Sequence, residues 1–275
     1  QSLPTYSMSV FKLPNCLCAE LNSITSNFWW QKNGERRMHW ASWRRLSLPN
    51  GEYWGGLGFL DLQAFNLAML AKQGWRLIND EDPQCSRVLR ARYFRQGNFL
   101  DAPREYNPSF TWSSIFEAKE MLKKGKWRIG NGISTEIWKD NWLPEVDEPP
   151  KPTSSNTLDQ EARVCQLIDW ERGGWNQFLV RRCVDEAAVR CILSIPLSNR
   201  LCFDKLIWSK HSSGCYMVKS GYHMAYDILY GEPDAIGAIP ANLWKWIWGI
   251  QLPQKTKLFG WKCCTGILPV MEAVA

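Results

Sequence analysis

The chain has 275 residues, 45% of them hydrophobic and 22% charged, with a net charge of +6. That is the composition of a folded protein with apolar surface enough for one large or two ordinary domains. It excludes a disordered, collagen-like or extremely basic chain, and no apolar run approaches the ~20 residues that a membrane span needs.

The opening residues, Gln1 to Lys12, lack the basic region and apolar block of a secretion signal and contain no initiator Met. The expected setting is therefore intracellular, nucleus or cytoplasm, for a chain cut from something longer. A helical apolar pattern runs from Met8 to Leu13, and a second helix follows Pro14 through Leu17, Leu21 and Ile24 to Trp30. A polar turn and a Trp-rich segment, Met38 to Leu46, lead to turn chemistry at Pro49-Asn50-Gly51. The central stretch runs from Gly55-Gly56-Leu57-Gly58-Phe59 to Ile78. In it Asp61 is expected to cap a helix over Leu62 to Ile78, apolar on nearly every side and so buried on several faces.

After the polar loop Asn79 to Pro83, Ser86 is expected to cap a helix through Phe94 that carries Arg87, Arg90, Arg92 and Arg95. A helix over Trp112 to Lys124 follows. The segments Trp127 to Ile129 and Thr135 to Trp138, joined through Gly130-Asn131-Gly132, read as a β-hairpin, because those residues tolerate the positive φ of tight turns. No Gly-Lys-Ser/Thr follows, so this is not a phosphate loop. Residues 145–157 are acidic and rich in Pro, Ser and Thr, the composition of a linker. Beyond them Val164 to Trp170 and Trp175 to Leu193 read as helices. A second hairpin, Leu206 to Lys210 with Cys215 to Val218, turns at Ser212-Ser213-Gly214. Ser220 is expected to cap a helix to Leu229, and a last apolar helix follows Pro253.

Ten cysteines contain no Cys-x-x-Cys pair, and the three histidines are isolated, so reduced, mostly buried thiols are the reading rather than a zinc site. Seventeen tryptophans fit a packed core better than a stacking platform. The charge is localised: residues 85–128 hold ten Lys/Arg against four Asp/Glu, an excess equal to that of the whole chain. A concentrated basic surface is the footprint of a polyanion site. Its candidate phosphate contacts are Arg87, Arg90, Arg92, Arg95, Lys123, Lys124, Lys126 and Arg128. Trp127 is a candidate stacking partner, although its neighbours place it more readily in the core.

Several motifs resemble, in order, the post-polymerase region of plant LINE-type (non-LTR) retrotransposon reverse transcriptases. They are Leu3-Pro4-Thr5-Tyr6, Phe28-Trp29-Trp30, the Gly55 to Ile78 stretch, and Trp127-Arg128-Ile129-Gly130-Asn131-Gly132 with Ile137 to Pro144. Tyr216 to Tyr222, Trp244 to Trp248 and Pro253 to Lys262 resemble the start of that family's reverse-transcriptase zinc-binding domain. The resemblance implies a post-polymerase, thumb- or connection-like region over 1–148, a linker at 149–157 and a truncated zinc-binding domain over 158–275. It also implies the polymerase domain of the parent polyprotein, with nucleic acid, RNA or DNA, as partners, and no membrane.

The departures matter as much. The family's polymerase needs an Asp-Asp pair to hold two metals, and none occurs here. The family's zinc ligands lie beyond the segment matched by Ile267-Leu268-Pro269, and Cys263-Cys264 stand before those positions, so no zinc and no other cofactor is expected. No acidic constellation of an RNase H is recognised. The Tyr53-Trp54 insertion and the shortened Gly125-Lys126-Trp127 fit a decaying or mis-spliced copy. The expected fold is α+β, mainly α-helical with two short β-hairpins, and the expected role is non-catalytic, sequence-tolerant binding of nucleic acid. The alternative is a structural or interaction remnant that packed against the polymerase domain.

Overall fold

A computed structural model describes residues 5–31, 38–48, 56–79, 83–95, 97–104, 106–197, 202–231 and 240–268. Within them the fold is mainly helical, with two small antiparallel sheets of two strands each. The chain forms two compact units, one of Gln1–Met8, Lys12–Ala68 and Tyr222–Ala275, the other of Ser9–Phe11 and Met69–Gly221. Residues 149–157, expected as a boundary, lie inside the second unit.

The first unit holds most of α1 (Thr5–Val10), α2 (Asn15–Trp30), α3 (Trp43–Ser47), the start of α4 (Leu62–Asn79), the end of α10 (Val218–Tyr230), α11 (Ala241–Gly249) and α12 (Gln254–Cys264). Proline sets three of its helix starts: Pro14, Pro240 and Pro253 occupy the N-cap positions of α2, α11 and α12. Asp61 caps α4 as expected, its Oδ1 accepting from the Ala64 N–H at 2.9 Å. The core gathers Trp30, Leu46, Trp244, Ile247 and Trp261, with Trp29, Trp40, Trp43 and Phe59 packed against them. The buried Asn66 side chain ties α4 to the chain before α2, donating to the Met8 carbonyl (2.7 Å) and accepting from the Leu13 N–H (2.8 Å).

The glycines before α4 have a steric reason. Leu57 and Phe59 donate to the Leu46 carbonyl and Gly58 to that of Leu48, so this segment runs against the end of α3. A Cβ on Gly56 would lie 2.0 Å from the Leu48 carbonyl oxygen, where no side chain fits. Gly55 lies outside the described residues.

The second unit contains the rest of α4, then α5 (Pro83–Tyr93), α6 (Phe110–Phe116), α7 (Lys119–Leu122), β1 (Lys126–Arg128), β2 (Ile168–Asp169), β3 (Gly174–Trp175), α8 (Gln177–Cys183), α9 (Glu186–Ser194) and β4 (Lys205–Ile207). One aromatic cluster stacks Tyr93 on Trp112 at 4.4 Å, with Phe94 and Phe99 beside the same indole. A second joins Trp75, Trp208 and Tyr216, where the Trp208 Nε1–H donates to the Ser220 hydroxyl. A third core collects Ile137, Trp142, Leu143, Val164, Leu167, Val180, Val189 and Ile192. Most tryptophans are thus core residues; among those described, only Trp170 and Trp246 are exposed.

Several local expectations are corrected. Trp127 to Trp138 is not a hairpin: β1 pairs antiparallel with β4, Trp127 opposite Leu206 and Arg128 opposite Lys205. The segment Leu206 to Val218 is no hairpin either, although the Trp208 N–H does reach the Gly214 carbonyl. The second sheet, β2 with β3, stands partly where Val164 to Trp170 was expected to be helical. The expected helix over Trp112 to Lys124 is two short helices, and that over Trp175 to Leu193 breaks between α8 and α9. There Val184 bridges to Pro152 and the Thr153 N–H donates to the Cys183 carbonyl. The expected linker is therefore knitted to α8 by backbone bonds. Ser86 is buried within α5 and Ser220 stands inside α10, so neither is a helix cap.

Candidate nucleic-acid interface

Helix α5 carries three of the eight predicted contacts, Arg87, Arg90 and Arg92, and Arg95 follows two residues past its end. Ser86 and Tyr93 are buried, Leu89 is half-buried, and all four arginines are exposed; at ~100° per residue Arg90 and Arg92 flank the buried side, and Arg87 and Arg95 lie across from it. The aromatic neighbours that anchor the helix also support the guanidinium groups, Arg90 over Phe94 at 5.7 Å and Arg92 over Tyr93 at 5.3 Å. The Arg95 Nε donates to the Ala91 carbonyl at the helix end, where a cation also complements the helix dipole. Among the described residues, Arg90, Arg92 and Arg95 have no carboxylate partner.

The remaining four differ. Lys123 is exposed and paired with Glu120 at 2.9 Å, and Lys124 and Arg128 are exposed. Lys126 is not a surface cation. Only 8% of it is exposed, and its ammonium donates to the Pro144 carbonyl at 2.7 Å and meets Asp147 at 3.1 Å. The hydrogen bond from Lys126 holds the Asp147 carboxyl below the usual range, against a smaller opposing effect of burial. Lys119 is likewise spent, its ammonium on the Ala102 carbonyl and over the Phe116 ring, with burial pulling its pKa down.

Beside α5 the second unit has a cleft of about 460 Å³ that local sequence patterns do not reveal. Arg90 and Trp127 line it, together with Lys139, Arg163 and Lys205 and the acids Asp101, Glu136, Asp140 and Asp204. Lys139 sits in the Ile137 to Pro144 motif, but Arg163 and Lys205 carry no local signal; the β1–β4 pairing and the bridge from Glu136 to Arg163 bring them there.

The acids of this cleft are engaged by the protein. Asp204 Oδ1 accepts from the Gly130 and Gly132 N–H groups at 2.7 and 2.8 Å, and Oδ2 from the Ser134 N–H and Thr135 hydroxyl at 2.9 and 3.0 Å. The Gly-Asn-Gly segment is thus a cradle of backbone donors filled by the chain's own carboxylate. Gly132 has φ +67° and its Cβ would lie 2.5 Å from the Cys165 nitrogen, so glycine is required on both counts. Asp140 accepts from the Glu136 N–H at 2.7 Å, and burial raises its pKa in spite of that bond. Asp101 and Glu136 both lie within ion-pair distance of Lys139 (3.3 and 3.6 Å). Burial would lower the Lys139 pKa, but Asp101, with Glu136 and Asp140, holds it above the usual value. Among the described residues no group of three or more His, Cys, Asp or Glu side chains is placed to hold a metal ion. No described helix is long and apolar enough to cross a membrane.

No protein-family model matches the chain, and no solved structure matches it. Over 153 residues, 55% of its length, it is 41% identical to the "Uncharacterized mitochondrial protein AtMg00310" of Arabidopsis thaliana, and it covers 97% of that protein. The chain belongs to that protein's family. Over 272 residues, 94% of its length, it is also 25% identical to the "Putative ribonuclease H protein At1g65750" of the same plant, and spans only 42% of that longer protein. In this member of the AtMg00310 family, then, exposed arginines on α5 adjoin a cleft whose carboxylates are already bonded and whose Arg90 and Lys205 form no ion pair with a described acid.

Proposed function

We propose that the chain is a non-catalytic accessory region of a plant LINE-type reverse transcriptase and that it binds nucleic acid with little regard for sequence. The observation that carries this reading is the arginine surface of α5 and the residues just after it: exposed guanidinium groups, three of them without a described carboxylate partner, within nine residues of chain. Such a surface meets phosphates, which are the same in every sequence. The likeness to part of a longer protein named for ribonuclease H supports a place within a nucleic-acid enzyme, and the lack of an Asp-Asp pair in the sequence supports an accessory rather than a polymerase role. The test is titration of labelled oligonucleotides of several unrelated sequences at low salt. Affinities within a few-fold of one another are expected; a hundredfold preference for one sequence would contradict the reading.

A second reading rests on α2, where Leu17, Ile24 and Phe28 are exposed at 38, 57 and 78%. Their spacing of seven and four residues places them on one side of the helix, the kind of apolar stripe that packs against a protein partner such as the polymerase domain. Self-association or aggregation of the isolated chain, relieved by Phe28→Ser, would favour it.

A further inference from the structure

We propose that the cleft beside α5 takes in one nucleotide of a single strand, its phosphate on Lys205, Arg90 and Arg163 and its base against Trp127; the inference rests on the nucleic-acid reading above.

The charges come first. Four acids line the space, yet Asp204 has four donors from the 130–135 loop, Asp140 has the Glu136 N–H, and Asp101 and Glu136 flank Lys139. Of the cations, Arg163 gives one N–H to the Ile133 carbonyl at 2.7 Å, and Arg90 and Lys205 have no described carboxylate. The side-chain donors still open to a ligand are those of Arg90, Lys205 and the rest of the Arg163 guanidinium.

Trp127 packs against the apolar core and also lines the cleft, so the core holds it from behind. At about 460 Å³ the cleft lies within the range of roughly 300–1,000 Å³ for small-ligand sites. It has room for one splayed base, and splayed bases are how single strands are held.

The test compares labelled oligo(dT), oligo(U) and a blunt DNA duplex on the full chain across a salt series. Lys205→Glu changes an exposed side chain, so its fold is secure, and Trp127→Leu keeps the apolar contact with the core. Both should weaken the single strands, Trp127→Leu by between about fivefold and a hundredfold, the range for removal of one base–aromatic stack. Neither should change duplex binding more than about twofold. Lys205→Ala should also reduce the single-strand salt slope by about 0.7, the share of one phosphate. Arg95→Ala, outside the cleft, should weaken single strand and duplex alike. Single-strand binding unchanged in both Lys205→Glu and Trp127→Leu would overturn the cleft while leaving the basic surface standing. Absence of salt-dependent binding by the unaltered chain would overturn both readings together. Oligo(dT) and oligo(U) binding equally would assign the site to base and phosphate alone; a preference for oligo(U) would add an interaction with the ribose 2′-hydroxyl within the same cleft.

Discussion

In the first unit three cations, Arg44, Arg45 and Lys257, close on the protein itself. Arg44 donates to the Tyr230 carbonyl at 2.6 Å and lies over that tyrosine's ring. Arg45 reaches the Thr265 carbonyl, burial lowering its pKa, and Lys257 donates to the Trp248 carbonyl. In the second unit Lys119 and Lys126 are used in the same way, but Arg90, Arg92 and Arg95 are exposed and have no described carboxylate partner. The difference teaches that a count of basic residues mixes two populations. One satisfies backbone carbonyls at element ends, where an ammonium or guanidinium replaces missing donors. The other stays exposed at the surface.

The comparison breaks most visibly at the carboxylate that organises the second unit. Asp204→Ala strips four donors of their acceptor at once and should destabilise that unit by about 3 kcal/mol or more, given ~1–3 kcal/mol for each buried group left unpaired. A lower urea midpoint and faster hydrogen exchange at the Gly130 and Gly132 amides would record it.

Next come the cations spent on the fold. Lys126→Ala, which leaves the Pro144 carbonyl without its donor, should cost about 2 kcal/mol. Arg44→Ala, whose side chain is exposed, should cost closer to ~1 kcal/mol. Neither should change the affinity for nucleic acid by more than about twofold, and urea melts run beside binding titrations separate the two effects.

Smaller still are two aspartates near the same surface, with opposite signs. The Asp147 carboxyl is held below its usual pKa, so its contribution is present above the unfolded value of about 3.9 and is lost as pH falls through the folded value. Because Asp147 is largely exposed, Asp147→Asn should cost less than about 1 kcal/mol at pH 7, and that cost should vanish in acid. Asp140 is held above its usual pKa. Its charged form therefore opposes folding at pH 7, and the penalty fades as pH falls toward the unfolded value. Asp140→Asn, which keeps an acceptor for the Glu136 N–H, should match or exceed the parent stability at pH 7, with the gap closing in acid. Urea midpoints at pH 7 and in acid read both signs.

Helices α2 and α4 were legible because proline, an aspartate cap and a long apolar period mark them. The mainly helical character with two small sheets was legible too. Strand partners were not. Gly130-Asn131-Gly132 carries the residues of a hairpin turn, yet its amides turn toward Asp204 and β1 pairs with a strand far along the chain. The breaks between α6 and α7 and between α8 and α9 are equally tertiary, the second fixed by the Pro152–Val184 bridge. At the candidate interface, the α5 arginines could be read from helical spacing. That Lys126 is buried, and that Lys139, Arg163 and Lys205 share a cleft with Arg90, follows only from pairings distant in sequence.

The most direct test of the basic surface is the salt dependence of duplex DNA binding by the chain and by its Arg90→Ala, Arg92→Ala, Arg95→Ala triple variant. Exposed and free of described carboxylates, the three arginines should affect stability by no more than about 0.5 kcal/mol each. Each phosphate deprived of its arginine should flatten log K against log[salt] by roughly 0.9. The account predicts a folded triple variant with weaker binding and a slope shallower by about two to three units. A folded variant that keeps the parent affinity and slope would contradict it.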